Sequence, residues 1–361
     1  MACRDGGWHW DARAVNLADS QIGSGRKLMY PDFIGIGAQK AGTTWLHRNI
    51  VDHPQIWIPR KEVHYFDRKI NDRSNVATRL LGKSLDDQRW RRQLRRWTIE
   101  HLKKFDLEGL RFVYKYYMRP YNDGWYGSIF EPRKGRVAGE ITPAYSALGE
   151  EMVSHVHEIM PEARIIFLMR NPIERDWSQT VMSFDKAEKG SAESISEDEM
   201  LKQFERKGSR SLTNYLRTLQ TWRRFYPEEQ IFVGFTEDVR FNPKDLLESV
   251  YGFLGVDTSF RPPTPEEKVH SRSSDTMSTR VAAHLARTYK DELARLEEMF
   301  GGYASFWRYC GVRLAEEAIE EEKIPYPLWD SSLWEDWKTA EHGSGEVGLR
   351  SGPLSSLQAV R

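Results

Sequence analysis

Residues 35–44, with the sequence GIGAQKAGTT, combine glycines, one lysine and two threonines directly after a short apolar run. Glycines allow several backbone N–H groups to turn towards one anion, and the N-terminus of a following helix adds a partial positive charge. Lys40 adds a full positive charge, and Thr43 and Thr44 add hydroxyl donors. We therefore predict that this segment is a phosphate-binding loop.

The loop differs from that of the P-loop nucleotide hydrolases, in which a lysine directly follows the last glycine. Here Thr43 follows Gly42, and Lys40 lies inside the loop. The sequence also offers no clear apolar strand that ends in an acidic residue able to hold Mg²⁺. A nucleoside triphosphate with its metal therefore fits this loop less well than a ligand with fewer charges. The alternatives are a kinase-like nucleotide phosphotransferase with an unusual loop and a non-catalytic nucleotide-binding member of the fold.

A second candidate phosphate site follows the apolar run Arg164–Met169. Arg170 stands at the end of this predicted strand, and Asn171 and Pro172 are typical of the start of a helix. Ser178 lies eight residues beyond Arg170, inside that helix. A guanidinium together with a hydroxyl can bind a phosphate.

Both segments resemble sulfotransferases that use 3′-phosphoadenosine 5′-phosphosulfate (PAPS) and release adenosine 3′,5′-bisphosphate (PAP). The motif Gly37-x-x-Lys40-x-Gly42-Thr43-Thr44-Trp45-Leu46 resembles their 5′-phosphosulfate loop, and residues 170–178 resemble their 3′-phosphate segment. The resemblance spans about residues 31–308 and is closest to the heparan sulfate or Golgi-type branch and its soluble bacterial-type relatives. It implies PAPS as the donor, no metal, and the following nucleotide-binding residues: Gly37, Gln39, Lys40, Ala41, Gly42, Thr43, Thr44, Trp45, Arg170, Ser178, Tyr215 and Arg272.

Three side chains are candidates for the base that removes a proton from the acceptor, while Lys40 is the candidate cation for the leaving group. Residues 61–66, KEVHYF, resemble the heparan-branch segment whose glutamate is the base, which points to Glu62. His64 would share the face of Glu62 if the segment is extended. Glu140 follows a second predicted strand, where the heparan branch tends to have a lysine and the small-molecule enzymes a histidine.

Strands that alternate with helices must position these groups. The alternation predicts an α/β protein, a three-layer α/β/α arrangement with a central parallel sheet, in which ligands bind at the carboxyl ends of the strands. The resemblance implies the P-loop-like sulfotransferase fold. Strands are predicted at residues 31–38, 136–141, 164–169 and 230–235. Helices are predicted at residues 43–53, 86–105, 150–160, 172–184, 212–226, 243–254 and 279–300, with a mobile loop at 185–199.

The domain organisation follows from composition along the chain. We expect a loose arm over residues 1–30, the sulfotransferase domain over 31–310, an aromatic extension packed on it over 311–340, and a disordered tail over 341–361. The aromatic segment 326–337 of the extension could alternatively form a lid over the acceptor. Arg89, Arg92 and Arg96 share one helix face, which could steer an acidic acceptor or could be a solvated surface.

The overall composition excludes several classes of partner. The 361 residues contain 53 Lys and Arg and 53 Asp and Glu, which argues against bulk capture of nucleic acid. The two cysteines, the lack of an apolar stretch of membrane-spanning length and the lack of a signal peptide favour a cytoplasmic protein without a membrane span. The acceptor is expected to carry a hydroxyl, less readily an amine, on a glycan, a metabolite or a carrier-bound intermediate.

Overall fold

The computed structural model describes residues 29–67, 75–131, 133–186, 195–205, 207–263, 274–316, 321–342 and 351–357. Six strands form the central sheet in the order β2-β3-β1-β4-β5-β8, and β6 and β7 form a separate antiparallel pair. All pairs of the central sheet are parallel except β5 with β8. The strands are β1 (Phe33–Gly37), β2 (Ile56–Trp57), β3 (Val137–Ile141), β4 (Arg164–Met169), β5 (Ile231–Phe235), β6 (Thr276–Ser278), β7 (Lys323–Pro325) and β8 (Gly352–Pro353).

Helices surround the central sheet, which confirms the predicted α/β class. They are α1 (Thr43–Ile50), α2 (Val76–Leu81), α3 (Leu85–Lys103), α4 (Leu107–Tyr117), α5 (Asp123–Ile129), α6 (Glu150–Ile159), α7 (Pro172–Lys186), α8 (Glu197–Phe204), α9 (Lys207–Thr213), α10 (Tyr215–Arg223), α11 (Thr236–Phe241), α12 (Pro243–Leu254), α13 (Thr279–Thr288), α14 (Lys290–Phe300), α15 (Gly302–Glu316), α16 (Ser332–Trp337) and α17 (Leu354–Leu357). Among the described helices, none is both long and apolar enough to cross a membrane.

The core strands explain the position of the site. Every residue of β1 and β5 is buried, which is why their sequences are continuously apolar rather than alternating. In the sheet, β2 and β3, which follow β1 along the chain, lie on one side of β1, whereas β4 and β5 lie on its other side. Such a reversal opens a crevice at the carboxyl ends of the strands. The phosphate-binding loop follows β1, and Arg170 follows β4 directly beside it.

Three predicted segments differ from the structure. The helix expected over residues 212–226 is interrupted at Asn214, between α9 and α10. The single helix expected over residues 279–300 is divided at Tyr289, whose hydroxyl donates a 2.6 Å hydrogen bond to the buried carboxylate of Asp176. The loop expected over residues 185–199 loses residues to a helix at each end. Residues 185 and 186 complete α7, and α8 starts at Glu197 because the Ser196 side chain accepts a hydrogen bond from the Glu199 N–H.

The C-terminal part of the chain also differs from the expected disordered tail. Residues 351–357 form β8 and α17, with Leu354 buried. The Ser351 hydroxyl accepts a 3.0 Å hydrogen bond from the Phe235 N–H and donates a 2.6 Å bond to Asp238. These contacts attach a short polar segment to the edge of β5, so the prediction of disorder is wrong for residues 351–357.

Candidate functional site

A cleft of about 1470 Å³ lies at the carboxyl ends of β1, β4 and β5. Drug-sized ligands occupy pockets of about 300–1000 Å³, so this cleft has room for a nucleotide together with part of an acceptor. Both predicted phosphate sites contribute to it. Of the predicted site residues, the lining includes Gln39, Lys40, Gly42, Thr43, Thr44, Trp45, Glu62, His64, Arg170 and Ser178.

The predicted phosphate-binding loop lies tightly against the chain that follows β3. At Gly37 the backbone φ is +153°, and a Cβ atom there would lie 2.9 Å from the Ser146 Cβ and 3.0 Å from the Pro143 carbonyl oxygen. Only glycine fits this approach without displacement of its neighbours. Gly42 adopts the left-handed conformation at the N-cap of α1, so the first N–H groups of that helix face the end of the loop. The loop therefore has the backbone geometry of an anion site.

Arg170 connects the two predicted phosphate sites. Its Nε donates a 2.9 Å hydrogen bond to Glu174 Oε2, and its Nη1 donates a 3.3 Å bond to the Lys40 carbonyl oxygen. The guanidinium carbon lies 5.1 Å from the centre of the Tyr326 ring. Burial disfavours the charged guanidinium, but Tyr326 and Glu174 outweigh that effect and raise the pKa of Arg170. Arg170 is therefore held rigidly and permanently charged at the wall of the cleft.

Lys40 and Ser178 lie on either side of the same wall. The Lys40 Nζ is 3.6 Å from the Met182 Sδ, one helical turn beyond Ser178 on α7. Residues four apart on a helix share a face, so Glu174, Ser178 and Met182 lie along one side of α7, with Glu174 bonded to Arg170 and Met182 in contact with Lys40. This face would align the two ends of a long, doubly anionic ligand along the cleft.

Glu62 lies between two basic side chains in the segment after β2. The Lys61 Nζ donates hydrogen bonds to Glu62 Oε1 at 3.1 Å and to Thr44 Oγ1 at 2.7 Å, and the His64 Nε2 lies 3.9 Å from Glu62 Oε2. Interaction with His64, followed by Lys61, lowers the pKa of Glu62 to about 2 despite partial burial. Glu62 is 45% exposed and ionised at neutral pH. Its lowered pKa makes the carboxylate a weak base as long as His64 and Lys61 both contact it. Glu62 and His64 both have positive φ, +59° and +56°, so the segment is not extended and the condition under which the two side chains were expected to share a face is not met.

Glu140 does not reach the cleft, which contradicts its prediction as a base. The carboxylate is completely buried and accepts hydrogen bonds from two tyrosine hydroxyls, one threonine hydroxyl and one backbone N–H. Burial raises the pKa of Glu140, although these four hydrogen bonds oppose the rise. The donors, at 2.6 to 3.2 Å, are Tyr126, Tyr145, Thr142 and the Val63 N–H. Because Val63 follows Glu62 directly, Glu140 holds the Glu62 segment in place and has no access to an acceptor.

The match to a protein family decides the class of this molecule. Residues 31–260 match the model described as the sulfotransferase family. The chain belongs to that family. This sulfotransferase is similar in fold to one from Alicyclobacillus acidocaldarius, with a TM-score of 0.50 and 20% identity, covering 74% of this chain and 95% of the other. At this identity the likeness shows the fold alone.

Two further solved structures are less similar to this chain. The sulfotransferase domain of the Synechococcus PCC 7002 olefin synthase has a TM-score of 0.43 and 18% identity, covering 70% of this chain and 86% of that one. The sulfotransferase domain from the curacin biosynthetic pathway has a TM-score of 0.44 and 15% identity, covering 70% and 83%. No curated protein matches the sulfotransferase.

The remaining predicted residues lie behind the cleft or outside the described chain. Gly37 and Ala41 are buried in the loop and shape it from behind. Tyr215 is fully buried, and its hydroxyl donates a 2.9 Å hydrogen bond to the Arg170 carbonyl oxygen, so it positions Arg170. Arg272 lies outside the described residues.

Several residues that line the sulfotransferase cleft were not among the predicted site residues. Lys61 is the first residue of the segment 61–66 that pointed to Glu62. Its positive charge directly beside the candidate base is the signal that could have identified it as a second cation. Tyr326, Pro327 and Trp329 belong to the aromatic extension, which packs on the domain through Trp334 and Trp337 and also lines the cleft. Thr236 and Arg240 of α11 complete the wall after β5.

The described part of the sulfotransferase offers no cluster of three or more His, Cys, Asp or Glu side chains suited to a metal ion. The polar groups of the cleft are instead mainly cations and hydroxyls, including Lys40, Lys61, Arg170, Thr44 and Ser178. This set of donors fits phosphate and sulfate oxygens.

Proposed function

We propose that this sulfotransferase transfers the sulfuryl group of PAPS to a hydroxyl group of an acceptor and releases PAP. The observation that carries the proposal is the direct connection of Arg170 to the carbonyl of Lys40, which joins two anion sites in one cleft. PAPS carries an anionic group at each end of its ribose. A nucleotide with only a 5′ phosphate chain would leave the buried Arg170 site without a ligand.

The residues on each side suit the two ends of the nucleotide. The 5′-phosphosulfate would lie against Lys40, Thr43, Thr44 and the N-terminus of α1, where backbone N–H groups and positive charge coincide. The 3′-phosphate would be bound by Arg170 and Ser178. Since the Glu174 carboxylate and the Lys40 carbonyl oxygen already hold the guanidinium, Arg170 loses little side-chain freedom when a phosphate binds.

PAPS supplies an activated sulfur atom, to which the acceptor oxygen bonds while the bond from sulfur to the phosphate oxygen breaks. Glu62 is the proposed acceptor of the proton, since its carboxylate is ionised and partly exposed in the cleft, and its low pKa makes it a weak base while His64 and Lys61 contact it. Lys40 and Lys61 are placed to offset negative charge at the reacting end of the nucleotide. His64 has its Nδ1 2.7 Å from Asp67 Oδ2, so it is better suited to orient Glu62 than to act as the base.

The acceptor is proposed to be a hydroxyl compound, and less readily an amine, of carbohydrate, small-molecule or carrier-bound type. Beside the reacting end, the wall contains Pro143, Ala144, Val181 and Met182. These side chains offer apolar contact, whereas Glu62 and His64 supply the polar contacts. The acceptor is therefore expected to combine an apolar portion with the reacting hydroxyl.

The proposal is tested by transfer of radiolabelled sulfate from PAPS to a panel of alcohols, phenols, sugars and amines. We expect metal-independent product formation that Lys40→Ala abolishes. Lys290→Ala, an exposed lysine substitution on α14, is the matched control and should retain wild-type activity. Equal activity of Lys40→Ala and wild type on every acceptor would contradict the proposal.

A further inference from the structure

The hairpin formed by α3 and α4, together with α2, exposes an unusual amount of apolar surface. Ten large apolar side chains are exposed among the described residues, and nine of them belong to this region. Scattered single exposures are normal, but Leu102, Phe105 and Leu107 all lie within six residues of one turn. The nine are Leu80, Leu81, Leu85, Ile99, Leu102, Phe105, Leu107, Tyr114 and Met118.

The same region is strongly basic. Residues 75–119 contain twelve Lys and Arg against five Asp and Glu, a net charge of +7 in a chain whose total is zero. On α3, an exposed stripe repeats at intervals of three or four residues, so its members share one helix face. The stripe consists of Leu85, Arg89, Arg92, Arg96, Ile99 and Lys103.

The turn between α3 and α4 forms an apolar tip at one end of this stripe. Phe105 is 91% exposed, Leu107 69% and Leu102 54%. The turn is fixed locally, because Asp106 Oδ1 accepts a 2.9 Å hydrogen bond from the Gly109 N–H and Asp106 Oδ2 lies 2.8 Å from the His101 Nδ1. The exposed side chains are therefore held in place by a rigid backbone.

The hairpin is attached to the wall of the cleft that carries Glu62. Arg60 donates a 3.0 Å hydrogen bond to the Tyr117 hydroxyl of α4, and its guanidinium lies 5.0 Å from the Trp97 ring of α3. Arg60 directly precedes Lys61 of the cleft. A partner bound to the hairpin would therefore lie beside the proposed acceptor side of the site.

We propose that the tip and the basic stripe form a docking surface for an anionic lipid bilayer. Protruding apolar side chains next to Lys103 and Lys104 suit insertion at the headgroup boundary, and the arginines of the stripe suit lipid phosphates. A second copy of the chain would bring the same charge of +7 against itself. The combination of an exposed apolar tip with an adjacent basic stripe is the pattern of a surface that binds anionic lipid, and an acidic protein partner is the alternative that the test below distinguishes.

The inference concerns where the enzyme works and is independent of the donor proposed above. A bilayer at the hairpin would place the cleft at the membrane surface, where acceptors with an apolar portion concentrate. No helix crosses the bilayer in this arrangement among the described residues.

The test is co-sedimentation of the full chain with phosphatidylcholine vesicles that contain phosphatidylserine, compared with vesicles of phosphatidylcholine alone. We expect binding to the anionic vesicles that weakens as salt is added, since the Debye length falls from about 10 Å at 0.1 M to about 3 Å at 1 M. The combined Phe105→Asp and Leu107→Asp variant should bind about tenfold or more weakly, because two inserted side chains are replaced by anions.

Charge-reversal variants distinguish vesicle binding by the stripe from attraction due to the total charge of the protein. Arg92→Glu with Arg96→Glu should weaken vesicle binding, whereas Arg224→Glu with Lys290→Glu, which make the same charge change elsewhere on the surface, should have a much smaller effect. Unchanged melting temperatures would show that each variant folds. The proposal is overturned if the wild-type chain does not bind anionic vesicles, which is the result expected if the partner is an acidic protein. It is also overturned if the tip variant binds these vesicles as strongly as the wild type.

Discussion

Arg170→Met should reveal two separable roles of the buried ion pair with Glu174. Glu174 is 1% exposed, and its Oε1 accepts a hydrogen bond from the Leu328 N–H. Removal of the guanidinium leaves this carboxylate buried without its cation. Breaking a buried pair in this way costs about 3–5 kcal/mol of folding free energy. At about 2–4 °C per kcal/mol, the melting temperature should fall by roughly 6–20 °C.

The same substitution should weaken PAP binding through loss of the 3′-phosphate contact. A hydrogen bond to a charged group contributes about 1.5–3 kcal/mol, and 1.36 kcal/mol corresponds to a factor of ten. PAP affinity should therefore fall roughly 10- to 150-fold. Adenosine 5′-monophosphate lacks the 3′-phosphate, so its affinity should change little.

The double variant Arg170→Met with Glu174→Gln distinguishes stability from binding. A neutral glutamine can still accept the hydrogen bond from Leu328, so most of the lost stability should return in thermal melts. PAP affinity measured by calorimetry should stay low, because the cation is absent. The reasoning would be refuted if the single variant melted like wild type, or if PAP and the monophosphate lost affinity equally.

Three further substitutions test the remaining assignments. Glu62→Gln should preserve PAP affinity but reduce turnover by roughly 10²–10⁴-fold, the usual contribution of a general base; normal turnover would exclude Glu62. Lys61→Met should raise the pKa of Glu62, so the acidic limb of the kcat/KM profile should move to higher pH; an unchanged limb would show that Lys61 does not act on Glu62. Glu140→Gln should lower stability by about 1–3 kcal/mol in thermal melts, because the amide faces donors it cannot pair with, whereas the exposed control Glu229→Gln should not.

The local parts of the fold and site could be predicted because their causes lie within short segments. Residues 165–169 are continuously apolar because β4 is covered on both faces. The glycines and Lys40 of the loop after β1 are the residue types that predict an anion site. The eight-residue spacing of Arg170 and Ser178 likewise falls within one strand end and the helix that follows it.

The remaining features depend on contacts between distant segments. Glu140 stands at a strand end like a catalytic group, but the hydroxyls of Tyr126 and Tyr145 fill its surroundings, and their approach is a consequence of tertiary packing. Tyr326 reaches Arg170 across a separation of 156 residues, for which no local pattern exists. The two-residue strands β2 and β8 are too short for an alternating pattern and are stabilised by their neighbours in the sheet.

The most direct test of the central claim is calorimetric titration of the purified chain with PAP in the presence of EDTA, beside ATP with Mg²⁺. The structure predicts micromolar binding of PAP without metal, on the order of 8 kcal/mol of binding free energy, and little binding of ATP. Tight binding of Mg-ATP with none of PAP would contradict the account, because both anion sites would then have been assigned to the wrong nucleotide.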